Sequence, residues 1–235
     1  MDIGIIGYGK MGHMVEAEAL ALGHTIAFIA NSAEDTWSKA DVLIEFTEPG
    51  MMIENLKKAL ERQLPMVSGT TGWYERLPEV KSLVAEHQGS FLYASNFSLG
   101  VNLFFEMNRI MANLMSGFEE YDVHIEEMHH TEKKDSPSGT AITTAEGILK
   151  EHHKYSKWML KTGQTSNTEA LEITAIREPG VPGTHTVTYS SGIDQISLTH
   201  EAKNRRGFAK GALLAAEWLP GNKGLFTMQD ILKLK

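Results

Sequence analysis

The densest group of reactive side chains in the sequence lies in one short stretch, residues 129–140. It holds two adjacent imidazoles, His129 and His130, and the ammonium group of Lys133. An imidazole titrates near neutral pH and can act as a general acid, and a lysine adds a cation and a second proton donor. In an extended chain the two imidazoles point to opposite sides, so we expect one to donate a proton and the other to bind an anionic substrate.

The end of this stretch has the pattern of a helix start. Pro137 cannot extend a strand ladder, and Ser138 offers a side-chain oxygen to cap a helix that begins near Thr140. Free backbone N–H groups there, at Gly139 and beyond, would bind a carboxylate together with the Ser138 and Thr140 hydroxyls. The same residues also fit plain helix capping, so spacing alone leaves both interpretations open.

A second motif lies near the N-terminus, where Gly7, Gly9 and Gly12 form a G-x-G-x-x-G pattern that also contains Lys10 and Met11. The pattern directly follows an apolar run and opens a helix-like stretch, which is the context that a dinucleotide-binding loop requires. The first glycine permits a tight turn, the second lets pyrophosphate approach the helix start, and the third lets the helix pack on the strand. We therefore predict that this loop binds a nicotinamide dinucleotide.

Short apolar runs alternate with helix-like stretches over the first hundred residues, a pattern typical of βαβ units that build a parallel sheet. The predicted strands are 2–6, 25–30, 41–46, 65–68 and 90–94, and the predicted helices between them are 10–22, 50–62 and 74–87. Further elements are predicted along the rest of the chain: a helix at 100–116, a strand at 121–128, a helix at 140–153, period-two strands within 169–201, a helix at 208–219 and a tail at 228–234. The predicted fold class is α/β.

These elements predict a Rossmann-type, doubly wound parallel sheet followed by a C-terminal α+β domain with a mixed sheet. Residues 1–98, completed by residues 206–235, form the predicted dinucleotide-binding domain. Residues 99–205 form the predicted substrate-binding domain.

Composition excludes several classes of protein. The sequence has no cysteine, which rules out disulfides and thiolate chemistry and fits a reducing compartment. A net charge of -8 argues against nucleic-acid binding. No apolar run reaches the roughly 20 residues that span a bilayer, and the N-terminus lacks an export signal, so we expect a cytoplasmic protein that does not enter a membrane.

Adjacent histidines beside acidic residues suggest zinc, but the spacing matches no known arrangement and lysines lie close by, so we expect no metal ion.

The sequence leaves the choice between NADH and NADPH open. Dinucleotide folds that hold the ribose of NAD usually carry an acidic residue after the second strand, but this chain has Asn31 and Ser32 there. An amide and a hydroxyl would tolerate a 2′-phosphate, and Lys10 could supply charge to it, so we expect NADPH or dual use. The alternative is that Asn31 and Ser32 form only a turn, and that Glu34, close to Asp35, contacts the ribose.

With these motifs assembled, the sequence resembles the dihydrodipicolinate reductase family almost from end to end. The motifs that carry the resemblance are residues 7–12, Glu45-Phe-Thr-Glu-Pro49, Gly69-Thr-Thr-Gly72, Ser95-Asn-Phe-Ser98, Glu127-Met-His-His130 with Lys133, Ser138-Gly-Thr140, and His200-Glu-Ala with Arg205, Phe208-Ala209 and Gly211-Ala212. Two departures stand out: the stretch between Ala30 and Asp41 is short for the family, and Asn31 and Ser32 replace the acidic ribose contact.

The resemblance implies a reductase that transfers hydride from NADPH or NADH to a small cyclic dicarboxylate of the diaminopimelate route to lysine. It implies His129 and Lys133 as proton donors, and a carboxylate-binding set of His130, Lys133, Ser138, Gly139 and Thr140. Further cofactor contacts are implied at Phe46, Thr47, Gly69, Thr70, Thr71, Ser95, Asn96, Phe97 and Arg205. It also implies a homotetramer whose subunits meet through the strands of 169–201.

Two other functions fit parts of the sequence. Another two-domain dehydrogenase of amino-acid metabolism, of the aspartate, homoserine or diaminopimelate type, would share the glycine loop, although the absence of cysteine rules out the thiol-acylating aldehyde type. A non-catalytic dinucleotide sensor would keep the loop but would have no need of His129, His130 and Lys133.

Overall fold

A computed structural model describes residues 1–162 and 170–233 of the chain. The chain divides into two compact units, one formed by Met1–Leu99 with Arg206–Lys235 and the other by Gly100–Arg205. Residue 169 of the predicted 169–201 strand region and residue 234 of the predicted tail lie outside the described residues.

The first unit is built on a six-stranded sheet in which all neighbouring strands are parallel. Its strands are β1 (Asp2–Ile6), β2 (Thr25–Ala30), β3 (Val42–Glu45), β4 (Met66–Ser68), β5 (Ser90–Tyr93) and, late in the chain, β11 (Gly224–Phe226). Their order across the sheet is β11-β5-β4-β3-β1-β2. Its helices are α1 (Lys10–Ala21), α2 (Pro49–Glu61), α3 (Leu77–Glu86, after a 3₁₀ turn at Tyr74–Arg76), α6 (Arg206–Trp218) and α7 (Met228–Leu232).

The helices cover both faces of this sheet, as a parallel sheet with buried strands requires. Residues of α1, α6 and α7 join one apolar cluster, represented by Val15, Leu213 and Met228. Residues of α2 and α3 join a second cluster, represented by Leu56 and Val84. The predicted doubly wound α/β fold is confirmed, and the C-terminal helix α6 packs in this first unit.

The second unit is a mixed five-stranded sheet with two helices. Its elements are α4 (Leu99–Met115), β6 (Asp122–His129), α5 (Gly139–Glu151), β7 (Lys157–Leu160), β8 (Ala170–Arg177), β9 (Thr184–Ser190) and β10 (Gln195–Glu201). The strand order is β10-β9-β6-β8-β7, with β9 antiparallel to its neighbours β10 and β6, and β8 parallel to its neighbours β6 and β7. The predicted mixed sheet is confirmed. Side chains of α4 and α5, such as Phe104 and Ile148, pack with β6, β8 and β9 in one buried cluster.

The structure adds two details that the sequence pattern did not predict. Strand β6 runs to His129, so that this imidazole lies in a strand and not in the following loop. The short strands β7 and β11 were not predicted. The sequence predicts no helix between β2 and β3, and the structure has none there. Instead, a loop follows β2, with Trp37 buried and the Lys58 ammonium group of α2 donating to the carbonyl oxygens of Ala33 and Asp35.

Among the described residues, we find no helix that is both long enough and apolar enough to cross a bilayer.

Candidate active site

The glycine loop lies between the end of β1 and the start of α1. Gly7 has a φ of +88°, and a Cβ atom at this position would overlap the carbonyl of Phe46. A Cβ atom at Gly12 would overlap the carbonyl oxygen of Gly7. Gly9 is different, because no atom lies within 4 Å of the position that its Cβ would occupy. The fold itself therefore requires glycine at Gly7 and Gly12, whereas at Gly9 it leaves open space.

The N-terminus of α1 opens onto a cavity of about 390 Å³ in the first unit. Gly9 caps α1, and no side chain satisfies the N–H groups of its first turn. The residues lining the cavity are Gly9, Lys10, Met11, Phe46, Thr47, Pro49, Gly69, Thr70 and Thr71. All except Pro49 were predicted from the sequence to contact the cofactor. An open cavity with exposed helix N–H groups suits an anionic ligand such as pyrophosphate.

A buried carboxylate that the sequence interpretation missed lies below this cavity. Glu45, at the end of β3, is fully buried and accepts hydrogen bonds from the Thr47 backbone N–H (3.0 Å) and from the hydroxyls of Ser68 (2.5 Å) and Thr70 (2.9 Å). Burial raises the pKa of Glu45, and the hydrogen bonds from Ser68, Thr47 and Thr70 oppose this rise. Glu45 thereby ties together the loops that follow β3 and β4. Its signal in the sequence was an acidic residue at the end of an apolar run.

The remaining predicted cofactor contacts of the first unit do not line this cavity. Ser95, Asn96 and Phe97 follow β5, and Phe97 is only 2% exposed, within the apolar core. At the end of β2, the carboxylate of Asp35 accepts hydrogen bonds from the backbone N–H groups of Asn31 (2.6 Å) and Ser32 (3.2 Å). An acidic group therefore does lie beside Asn31 and Ser32, supplied by Asp35 and not by Glu34.

In the second unit, the side chains of four strand residues and one helix cap form a buried polar cluster, which we call the Glu127 cluster. Its members are Glu127 and His129 of β6, Arg177 of β8, His185 of β9 and Ser138 at the start of α5. Glu127 and His129 are two residues apart and so lie on the same face of β6. The sheet register places Arg177 opposite His129 and His185 opposite Glu127. Strand pairing thus brings together residues that are distant in sequence.

Each carboxylate oxygen of Glu127 has its own partners. Oε1 accepts hydrogen bonds from the Ser138 backbone N–H and from Arg177 Nη2, both at 3.1 Å. Oε2 lies 2.8 Å from His129 Nδ1 and 3.8 Å from His185 Nε2. The contact between Oε2 and Nδ1 is an ion-pair contact, because it does not have the direction of a hydrogen bond. The fully buried carboxylate is held among four polar groups.

This environment sets the charges within the cluster. Burial alone would raise the pKa of Glu127, but the contacts from His129, Ser138 and Arg177 outweigh it and hold the pKa at about 2. Burial, reinforced by the neighbouring His129, lowers the pKa of His185 to about 3. At neutral pH the cluster therefore contains an ionised Glu127 and a neutral His185.

The two adjacent imidazoles have different surroundings, as the extended strand predicted. His129 belongs to the Glu127 cluster and is 8% exposed. His130 lines a separate cavity of about 340 Å³ and lies 3.4 Å from Arg205 Nη2. Arg205 was predicted as a cofactor contact, and in the second unit it lies beside a predicted substrate-binding residue. Lys203 and Glu132 also line this cavity, so two basic side chains and one acidic side chain border it.

The other predicted substrate-binding residues lie at the start of α5 and in the loop before it. Ser138 caps α5 by accepting a hydrogen bond from the Ala141 N–H (3.2 Å), and its hydroxyl also lies 3.2 Å from His185 Nε2. Ser138 is therefore a buried cap, while Gly139 is exposed and has no neighbour near its Cβ position. Lys133 pairs with Asp135 at 2.8 Å. Ser138 therefore caps the helix, as one of the two interpretations predicts. Gly139 and Thr140 are the more accessible hydrogen-bond donors for a carboxylate.

The structure also places Glu127, His129 and His185 close enough to hold a metal ion, with one ligand atom from each within 4.8 Å of the others. The sequence predicts no metal ion. The guanidinium group of Arg177, 3.1 Å from the same carboxylate, disfavours a dication at this position.

The neutral, buried His185 predicts a loss of stability in mild acid. Its folded-state pKa of about 3 lies below the ordinary value of 6.5, so the unfolded chain takes up this proton first as the pH falls. Between pH 7.5 and pH 5 we expect this residue alone to destabilise the fold by about 2 kcal/mol. Urea unfolding of wild type and His185→Asn at both pH values measures the difference, which should be smaller in the variant. His153→Asn, which replaces an exposed imidazole, should behave like wild type.

Comparison with known proteins gives two family matches, one in each half of the chain. The N-terminal model of dihydrodipicolinate reductase matches residues 15–97, and the C-terminal model matches residues 100–232. A 4-hydroxy-tetrahydrodipicolinate reductase of Christiangramia forsetii is 44% identical over 99% of this chain and 98% of its own length. The protein of the same name from Methanoregula boonei is 34% identical over 95% of this chain and 85% of its own length.

A solved structure is also similar. The dipicolinate-bound dihydrodipicolinate reductase from Paenisporosarcina sp. TG-14 has a TM-score of 0.79 to this chain at 21% identity. The match covers 98% of this chain and 99% of that structure. At this level of identity the similarity supports the fold.

Proposed function

Because the chain belongs to the dihydrodipicolinate reductase family, we infer that it reduces 4-hydroxy-tetrahydrodipicolinate to tetrahydrodipicolinate, a step of the diaminopimelate route to lysine, with NADPH or NADH. The observation that carries this inference is the 44% identity to a reductase of that name along nearly the whole chain. The motifs of the sequence support the same inference. The glycine loop at residues 7–12, the adjacent His129 and His130, and Lys133 all match the family motifs.

We assign dinucleotide binding to residues 1–98 with 206–235, and substrate binding to residues 99–205. The cavity at the start of α1 fits a dinucleotide, because Gly9 leaves open space there and the first-turn N–H groups have no side-chain cap. Gly9, Lys10 and Met11 would hold the pyrophosphate, and residues of the loops after β3 and β4 would line the nicotinamide end. When bound, the dinucleotide supplies a hydride.

The substrate carries two carboxylates, which an acidic protein must attract with local donors. We assign this role to His130 and Lys133, which carry or can carry positive charge, and to the neutral donors Ser138, Gly139 and Thr140. Arg205 joins this group in our proposal, because its guanidinium group shares a cavity with His130. These contacts would orient the ring for reduction.

The proton step follows from the electronic structure of the ring. Loss of the 4-hydroxyl group as water gives a conjugated imine that accepts hydride at C4. Negative charge then develops toward the ring nitrogen and C3, and we propose that His129 or Lys133 neutralises it by donating a proton.

We propose that the enzyme uses both dinucleotides and that Asp35 sets the balance between them. The side chains of Asn31 and Ser32 are neutral and tolerate a 2′-phosphate, but the Asp35 carboxylate beside their N–H groups would repel it. Asp35→Asn removes this charge, and we expect the ratio of kcat/KM for NADPH to that for NADH to rise about tenfold. Initial rates with each dinucleotide measure this ratio.

The matched control is Glu34→Gln, which removes a neighbouring exposed carboxylate that makes no such contact with these N–H groups. Its ratio should stay at the wild-type value. A rise in Glu34→Gln with no change in Asp35→Asn would contradict the assignment and return the role to Glu34.

We propose a cytoplasmic homotetramer in which the strands of 169–201 form the contacts between subunits. Strand β10 supports this proposal, because it lies at one edge of its sheet and most of its residues are exposed. Ile193, in the preceding turn, is 94% exposed. An exposed edge strand with apolar neighbours is a common site of association. Light scattering coupled to size-exclusion chromatography would give four times the chain mass if the proposal is right.

One assay separates this function from its rivals. Purified protein is incubated with NADPH or NADH and enzymatically generated 4-hydroxy-tetrahydrodipicolinate, and in parallel with aspartate, homoserine and diaminopimelate plus the oxidised dinucleotides. We expect turnover with the cyclic substrate alone. Turnover with an amino acid would support a dehydrogenase of that type, and dinucleotide binding with no turnover would support a sensor.

A further inference from the structure

We infer that Glu127 is a positioning residue for His129: its buried carboxylate fixes the ring so that Nδ1 carries a hydrogen and Nε2 exchanges the catalytic proton. This inference rests on the proposed reductase function, which makes His129 a proton donor. Glu127 itself does not touch the substrate in this proposal. It acts through the imidazole.

The carboxylate oxygen that does not face His129 accepts two hydrogen bonds. Arg177 and the Ser138 N–H, both on Oε1, prevent the carboxylate from turning, and Ser138 is itself fixed as the cap of α5. The other oxygen, Oε2, is thereby directed at His129 Nδ1, 2.8 Å away. Once the ring is aligned to donate to it, an acceptor at this distance selects the tautomer that has its hydrogen on Nδ1.

Residue 183, which lies beside the opposite nitrogen of the ring, is a glycine. A Cβ atom at position 183 would lie 2.9 Å from His129 Nε2 and 3.1 Å from its Cδ2. Glycine at this position leaves the Nε2 side of the ring clear of any side chain from residue 183. One side of the imidazole thus meets a buried anion, and no side chain of residue 183 covers Nε2.

The ionised Glu127 carboxylate also places a negative charge beside the imidazole. The charged and titratable groups near the pair are Arg177 of β8, His185 of β9, His200 of β10, and the paired Lys133 and Asp135 of the loop after β6. His185 is held neutral by burial and adds no charge, while Arg177 is compensated by Glu127. Glu127 is therefore the anion in contact with His129. The misaligned contact would become a hydrogen bond when the substrate orders the site.

The test replaces Glu127 with glutamine, which keeps the shape of the side chain and removes its charge. We expect kcat to fall at least about tenfold, with little change in KM or in dinucleotide affinity. The limb of the pH–kcat profile that reports loss of the acid's proton should move to lower pH, which a merely structural role would not cause. The matched control is Glu126→Gln, the exposed neighbour on the other face of β6, which should keep wild-type values.

A Glu127→Gln variant that folds and keeps both the wild-type kcat and the wild-type pH profile would overturn the inference. Nitrogen NMR of the histidine rings in the wild-type protein supplies a test that needs no variant. At a pH at which the ring is neutral, the His129 resonances should show the tautomer with hydrogen on Nδ1, and the opposite tautomer would overturn the inference. The NMR measurement does not depend on turnover, so it separates a failure of this inference from a failure of the proposed reductase activity.

Discussion

Replacing His129 with alanine is expected to lower kcat for 4-hydroxy-tetrahydrodipicolinate by a factor of about 10²–10⁴, the usual effect of losing a general acid. Lys133→Ala is expected to lower kcat by a similar factor, because the Lys133 ammonium group both binds a substrate carboxylate and can donate the proton. Dinucleotide affinity should change little, since the predicted cofactor cavity is lined by residues of the first unit. Steady-state kinetics and fluorescence titration with the dinucleotide measure the two quantities separately.

Lys134→Ala is the matched control for Lys133→Ala, because Lys134 is an exposed neighbour of the same charge. It should keep wild-type kcat. If His129→Ala and Lys133→Ala both turned over the substrate at the wild-type rate, the assignment of the proton donors would be wrong, and the site would have to be sought elsewhere in the chain.

The second large effect concerns the glycine loop. Gly9→Ala is expected to weaken dinucleotide binding at least about tenfold, because the new methyl group would occupy the space through which pyrophosphate reaches the helix N-terminus. The free energy of unfolding should stay within about 0.5 kcal/mol of wild type, since no protein atom lies within 4 Å of that methyl position. Titration and urea unfolding of the same preparation measure both values.

Gly7→Ala separates this effect from damage to the fold. A side chain at this position is strained by the φ of +88° and overlaps the Phe46 carbonyl, so the variant should lose stability as well as binding. A Gly9→Ala variant that bound the dinucleotide as tightly as wild type would contradict our placement of the pyrophosphate.

The ends of the strands that carry the candidate site could be predicted where apolar runs are bounded by turn residues. Strands β1 and β2 begin and end as predicted, because their apolar runs are bounded by turn residues and by the glycine loop. Strand β6 extends one residue further than predicted, to His129, because pairing with β8 continues as far as Arg177. Pairing between strands, and not local sequence, determines this end.

The Glu127 cluster shows what a single sequence cannot supply. Glu127 and His129 could have been paired from their period-two spacing, but Arg177 and His185 reach them only through the register of β8 and β9. That register depends on tertiary packing. Asp35 was likewise noticed in the sequence, and only the turn after β2 shows that its carboxylate meets the N–H groups of Asn31 and Ser32.

Transfer of a labelled hydride tests the central claim most directly. The enzyme is supplied with NADPH or NADH deuterated at the transferable position and with 4-hydroxy-tetrahydrodipicolinate, and the product is analysed by NMR. We expect one deuterium at ring C4 of the product for each dinucleotide oxidised, and a solvent-derived proton at C3. A product without deuterium, or no consumption of the dinucleotide with this substrate, would contradict the proposed reduction.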